Sequence, residues 1–415
     1  MRQLDEMLSS EAVTLVRVLE QIRREGPISQ IEIGQRLGLG RAAINIHVKK
    51  LQAQQIIIPV GSNDDQAMGR PRVLLDLNRE GKAVLGISLD APRLSGAIMD
   101  FSNRIIHEQT INVGDVSDFA SLEVYVLQLV KNLSLKADQA GMDLYSACFA
   151  VPGVLEPGTG RVVNYVNMPA ANGLDVKELI NRLLGIPAYV VPLGAALYWG
   201  GLEANQNEQS IFHVIWDMGV GMMFGRGYEI GLKRYTKYDV MSVTGGLRDI
   251  GHATLHPNGK LCSCGRRGCL EAYLGGMAIT HKWNERHQRT ALSFNQLIAL
   301  AEKGEPRAIE MFSRNAKRLG QKLGWMFTVH QPQYIKLSGQ IPDAVKQVRS
   351  AFWEGVQSHI GENNTTKFDY VGDAHSLGLV GSCRLALHVR FNKPLLEIVS
   401  DDNAYEMSHV CLSMG

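Results

Sequence analysis

Unbroken apolar runs are missing from this chain of 415 residues. Its longest uncharged stretch, Leu183 to Leu202, has the ~18 or more residues that a membrane-spanning helix requires, but Gly185, Pro187, Pro192, Gly194 and Gly200-Gly201 interrupt it. Insertion as one continuous apolar helix is therefore not expected. The first residues hold no apolar core of signal-peptide length, because Arg2 and Glu6 interrupt it. Cysteine is scarce, with 6 in the whole chain, and its spacing is not that of a paired disulfide framework. A reducing cytoplasm is the expected location. Charge of one sign is also lacking: the formal net charge is +2. No bulk attraction to polyanions follows, so any nucleic-acid face must be local. Low-complexity segments and short tandem repeats are absent. What remains is ordinary globular material, 45% hydrophobic and 20% charged, long enough for two or three domains and a sizeable core.

The few cysteines are concentrated. In GHATLHPNGKLCSCGRRGCLEA, Gly251 to Ala272, one histidine and three cysteines fall together: His252, Cys262, Cys264 and Cys269. Three thiolates and one imidazole complete a tetrahedral shell, the way a structural zinc is held. Cys383 and Cys411 stand apart and read as idle thiols.

Near the N-terminus, EAVTLVRVLEQIRR places Val13, Val16, Leu19 and Ile22 on one helical stripe. Gly26-Pro27 ends that helix. Ser29 followed by Glu32 forms a capping box that starts a second helix, from about Gln30 to Leu37. Gly38-Leu39-Gly40 makes a turn. A third helix begins near Arg41, with Ile44, Val48 and Leu51 inward. Helix, short glycine turn, helix is the helix-turn-helix plan, and its second member enters the major groove. The expected DNA-facing residues are Ser29, Gln30, Arg41, Ala42, Asn45 and His47, with Lys49 and Lys50 on phosphate. A winged hairpin should follow, Ile56 to Val60 and Val73 to Leu77. Its tip, Gly69-Arg70-Pro71-Arg72, resembles basic segments that enter an A·T-rich minor groove. From Arg36 to Arg72 there are six Lys or Arg against Asp64 and Asp65, a local +4. This contrast with the chain's +2 supports a DNA-binding head over residues 1–80.

Gly251-His252, the Cys262-x-Cys264 pair and Gly268-Cys269-x-Glu271 together resemble the signature of the ROK family, which joins sugar kinases with sugar-responsive repressors. The resemblance implies an α/β fold: an N-terminal winged helix-turn-helix, then a two-lobed actin-like (ribonuclease H-like) ATPase/sugar-kinase body. From Ala83 onward the sequence fits. VLGISLD, LSGAIMDF and RIIHEQTINV read as a three-strand meander, followed by a helix from about Phe119 to Gly141 and the strand SACFAVPG. The expected divisions are lobe 1 over 81–205, lobe 2 with the zinc loop over 206–391, and a tail over 392–415. Residues 292 to 330 read as helical. HSLGLVGSCRLALHVRF, from His375, resembles the family's final helix.

The parts that make a kinase are altered. Where the kinases have Asp-x-Gly-Gly-Thr-Lys, this chain has Ser88, Asp90, Ala91, Pro92 and Arg93. Pro92 has no amide proton to offer a phosphate. The second phosphate loop reads Asp217-Met218-Gly219-Val220-Gly221, with a carboxylate where phosphate should sit. The Asn-Asp-Ala-Asn motif that carries the kinase base is replaced by Pro192, Leu193, Gly194 and Ala195, and no apolar side chain accepts a proton. Lys336-Leu337-Ser338-Gly339 stands at a family adenosine contact, and Lys336 and Leu337 weaken the match. No catalytic residue and no ATP are expected. The resemblance carries five residues over to a ligand site: Gly153, Asn167, Asp249, His252 and Glu271. Asp249 and Glu271 also suit a role behind the metal ligands.

The expectation is therefore a repressor of carbohydrate-use genes. It would bind a double-stranded operator as a homodimer or homotetramer and respond to a sugar or sugar derivative. The alternatives are a kinase with a non-standard base and a regulator controlled by a transport protein.

Overall fold

The computed structural model describes the backbone of residues 11–63, 72–114, 116–156, 159–165, 168–202, 210–225, 227–229, 236–238, 250–287, 291–361 and 364–400. These divide into two compact units. One holds the described residues up to Val191 and those from Ser382 onward. The other holds Pro192–Glu229 and Thr236–Gly381.

The first unit opens with helix α1, Glu11–Glu25, whose Val18, Leu19 and Ile22 are buried. The side chains of Val13 and Val16 lie outside the described residues. A two-residue strand β1, Ile28–Ser29, leads into α2, Gln30–Leu37. The expected capping box is present. The Glu32 amide donates to the Ser29 hydroxyl, and the Ser29 amide donates to the Glu32 carboxylate. Such a cap contributes about 1 kcal/mol. These Ser29 contacts, reinforced by Arg72, hold the Glu32 carboxyl below its usual range against a small effect of burial. Gly38, at φ 61°, closes α2. Helix α3, Arg41–Ala53, follows at once. Strands β2, Ile57–Asn63, and β3, Arg72–Leu77, pair antiparallel, and β1 pairs with β3 in the same small sheet. Three helices and a hairpin around Ile22, Ile33, Ile44, Val48 and Leu51 make a winged helix-turn-helix.

Still in this unit, β4 (Lys82–Asp90), β5 (Arg93–Asp100) and β6 (Ile105–Asn112) form the antiparallel meander. Helix α4, Phe119–Gln139, crosses back to β7, Asp143–Val151, which runs parallel to β4. Helix α5, Val176–Leu184, and β8, Ala188–Pro192, complete a five-stranded sheet of order β8-β7-β4-β5-β6. β4 is apolar along nearly its whole length because both faces are covered. Leu85, Ile87 and Phe149 form a core with Leu122, Val126 and Leu129 of α4.

The second unit begins with α6, Leu193–Gly200. Its sheet runs β10-β9-β11-β12: β9 (Ile211–Trp216) and β10 (Val220–Gly225) form an antiparallel hairpin, then β11 (Tyr334–Ser338) and β12 (Lys367–Tyr370) add in parallel. Between them lie α7 (Glu271–Leu274), α8 (Gly276–His287), α9 (Phe294–Glu302), α10 (Pro306–His330), α11 (Gln340–Ala344) and α12 (Gln347–Ile360). The helical reading of 292 to 330 is thus two helices, parted at Lys303–Glu305. Phe212, Val214 and Trp216 of β9 pack with Leu319, Leu323 and Phe352 of the long helices.

The final helix, α13, spans Ala374–Ser400 and so continues past the family-like segment into the expected tail. Cys148 and Cys383 are buried thiols. Cys411 lies outside the described residues.

Inside the second sheet, neighbouring strands place His213 beside Lys336, both fully buried. The His213 ring shares a 2.8 Å hydrogen bond with the Ser338 hydroxyl, and the Lys336 ammonium donates to the Gly201 carbonyl. Burial first, and the Lys336 charge second, push His213 down to about 3. The unfolded chain protonates this histidine near ~6.5, so it binds the proton that the folded chain refuses. Stability should therefore fall as pH drops from about 6.5 toward 3, by up to about 1.4 kcal/mol per pH unit from this group. His213→Gln, which keeps a hydrogen-bonding side chain, should flatten that slope in a melting-temperature series. An equal slope in both proteins would assign the acid sensitivity elsewhere.

Candidate nucleic-acid interface and metal centre

Helix α3 has two faces. Ile44, His47, Val48 and Leu51 recur at i, i+3, i+4 and i+7 and are buried. Arg41, Ala42, Ile46, Lys49 and Lys50 are exposed, and Asn45 is half-buried. Two expected DNA contacts need correction. His47 is 5% exposed and faces the head's own core, because it completes the stripe that starts at Ile44. Ser29 is buried with its hydroxyl 2.6 Å from the Glu32 carboxylate, so its side chain caps a helix. Gln30 is half-buried and Arg72 is exposed at the start of β3. Arg70 lies outside the described residues. Ile46, missed by the sequence reading, is 51% exposed between the cationic positions. Its signal was available: it falls opposite the Ile44–Leu51 stripe.

In the second unit, His252, Cys262, Cys264 and Cys269 converge, with their ligand atoms all within 4.8 Å of one another. The Cys262 sulfur is 3.5 Å from His252 Nδ1, and the Cys264 and Cys269 sulfurs are 3.8 Å apart. A tetrahedral ion with metal–sulfur bonds of about 2.3 Å and metal–nitrogen bonds of about 2.0–2.1 Å needs spacings of about 3.5 and 3.8 Å. The cluster therefore fits a metal ion. Gly268 makes the closure possible. Its φ is 76°, and a Cβ there would stand 1.6 Å from the His256 carbonyl oxygen. Burial works against ionising Cys264. The Arg266 amide and guanidinium, with Cys262 and Cys269, outweigh it and bring the thiol down to about 7. Burial, joined by Cys264 and Cys262, raises Cys269 to about 12. Four converging donors of this kind are arranged to close around a cation.

Glu271 follows the last cysteine at the start of α7. Its carboxylate accepts the Val220 amide at 3.2 Å, so it ties the loop to the turn between β9 and β10. A Cβ at Gly219 would meet that carboxylate at 2.3 Å. In the same turn, the Asp217 carboxylate accepts the amides of Met218 at 2.9 Å and Gln340 at 3.2 Å. The chain's own carboxylate thus satisfies two amides at the loop that resembles the kinases' second phosphate loop. The other altered loop is closed similarly: Asp90 and Arg93 pair at 3.3 Å across Ala91-Pro92. Leu193 opens α6 with no carboxylate at its position. Lys336 is spent on the Gly201 carbonyl. Gly153, at φ 93°, follows β7 in the first unit. Asn167 and Asp249 lie outside the described residues.

A winged helix-turn-helix and a body with two further sheets define the class. A ROK family model matches residues 84–389 and a winged helix-turn-helix DNA-binding model matches residues 13–58. The chain belongs to the ROK family. It is 23% identical to the xylose repressor of Bacillus subtilis, over 83% of this chain and 88% of the relative. A solved ROK family transcriptional regulator, a homologue of the Escherichia coli Mlc protein, superposes with a TM-score of 0.73 at 20% identity, covering 94% of this chain and 98% of that one. A Streptomyces griseus ROK glucokinase, solved with glucose and AMPPNP, gives 0.59 at 18% identity, covering 74% of this chain and 99% of its own. The two solved structures share the fold. The chain joins a winged helix-turn-helix DNA-binding segment to a ROK body, as its repressor relatives do.

The two faces of α3 should separate by mutation. His47→Ala should lower the head's stability by about 1–3 kcal/mol, the usual cost of emptying a buried site. Arg41→Ala should leave melting unchanged and weaken DNA binding. Thermal denaturation and a DNA-binding titration on both variants check this, and the opposite pattern would reverse the assignment of faces.

Proposed function

We propose that this protein represses carbohydrate-use genes, sensing a sugar or sugar derivative in a kinase-like body that does not phosphorylate it. One observation carries the reading: the chain joins a DNA-binding head to a body whose Asp217 carboxylate accepts the Met218 and Gln340 amides at the loop that resembles the kinases' second phosphate loop. The repressor names of the relatives support it. Gly153, Asn167, Asp249, His252 and Glu271 are the proposed ligand residues. With Leu193 replacing an acid and Asp249 a shorter side chain than the family's Glu, these residues offer fewer hydrogen bonds to a hexose. Each such bond contributes about 1 kcal/mol, so a less polar or phosphorylated derivative suits it better.

The ion held by His252, Cys262, Cys264 and Cys269 is proposed as structural zinc, which Cys₃His sets favour. When bound it supplies cross-linking of the loop and no chemistry. His252 turns Nδ1 toward Cys262, leaving Nε2 for a second partner. A cytoplasmic homodimer or homotetramer on a pseudo-palindromic operator completes the reading. Ligand would act through unequal affinity for two arrangements of the body.

A genome-wide occupancy map of the tagged protein tests the function. Discrete peaks over a shared palindrome beside sugar-use genes are expected; no peaks above background would overturn it. Cys264→Ser should lower bound zinc, measured by elemental analysis, and lower the melting temperature; full zinc content with an unchanged melting temperature would remove the metal. Arg70→Ala should reduce the slope of log affinity against log salt by about one phosphate equivalent. An unaltered slope would take the wing tip off the DNA.

A further inference from the structure

The exposed face of α3 contains one residue that the fold does not explain. Ile46 is 51% exposed, on a helix of 13 residues. A β-branched side chain there is a poorer helix former than Ala, Lys or Glu, and its apolar surface stays in water. The buried stripe Ile44–Leu51 already holds the helix to the head. At about 100° per residue, Asn45 and Ile46 flank a centre formed by Ala42 and Lys49, with Arg41 and Lys50 at the margins. Ala42 and Ile46 are one turn apart, about 5.4–6 Å along the axis. The outer face is thus an apolar pair framed by cations and one amide.

A major groove presents hydrogen-bond donors, acceptors and one apolar group, the C5-methyl of thymine. An isoleucine pressed against a donor or acceptor would strip its water and return nothing. Against a methyl it gains contact and buries surface on both sides.

We infer that Ile46 is a specificity-determining residue that reads the C5-methyl of a thymine, with Ala42 completing the apolar contact. Arg41, Lys49 and Lys50 set the helix on the backbone, and Ile46 selects thymine over cytosine at one position of each half-site. This rests on the reading of α3 as the major-groove helix.

The test uses the full chain and a duplex that it selects itself from a random library. Each thymine of the selected duplex is replaced singly by deoxyuridine, which removes only the methyl. The wild type should lose about threefold to fivefold in affinity at one position per half-site, the value of one buried carbon. Ile46→Ala should bind the thymine duplex weaker by at least that factor and be indifferent to uracil at that position. Its melting temperature should match the wild type, since the side chain is exposed. Equal uracil sensitivity in the wild type and Ile46→Ala, or no sensitive thymine at all, overturns the proposal. Arg41→Ala separates the two levels. If it weakens binding while the uracil scan is flat, the helix is in the groove and only the role of Ile46 falls. If Arg41→Ala and Ile46→Ala both bind like the wild type, the groove placement falls too.

Discussion

Three cysteine sulfurs and one imidazole nitrogen within 4.8 Å of one another are the constraint on which the second unit turns. Such a convergence of soft donors is favourable around a cation. The loop they close delivers Glu271 to the Val220 amide. That contact holds the turn carrying Asp217, and Asp217 holds the start of α11 through Gln340. A chain of short polar contacts therefore runs from the cluster to the end of the β9–β10 hairpin. Removing the cluster's order would loosen the whole run.

The loops that differ from the kinase motifs carry internal partners for their polar groups. A phosphate loop works by leaving amides unsatisfied until an anion arrives. Here the amides of Met218 and Gln340 are satisfied internally by Asp217. Asp90 and Arg93 neutralise each other across the other turn, and Lys336 is consumed by the Gly201 carbonyl. These internal contacts satisfy polar groups of the fold itself.

Much of the head was legible because its signals are local. The Ser29–Glu32 box, the Gly38 turn and the apolar spacing of Ile44, Val48 and Leu51 each act within one or two turns of chain, and the helices begin and end where those signals stand. The cluster was legible because four ligand residues of the right types lie within a short stretch. His47 was misread for a definite reason. Histidine is common on DNA-facing surfaces, yet position 47 falls on the buried stripe, and periodicity outranks residue type there. Ile46 was overlooked by the same slip.

By itself, then, the sequence determined the head's helices, the altered kinase motifs and the Cys₃His set, because each depends on neighbours along the chain. Only the tertiary structure decided where Asp217 spends its carboxylate, since Gln340 is far away in sequence. It also decided that Glu271 anchors the β9–β10 turn and that His213 is kept neutral beside Lys336. Those outcomes depend on which strands pair and which loops meet. Burial and hydrogen bonding between distant segments set them, and no local spacing encodes either.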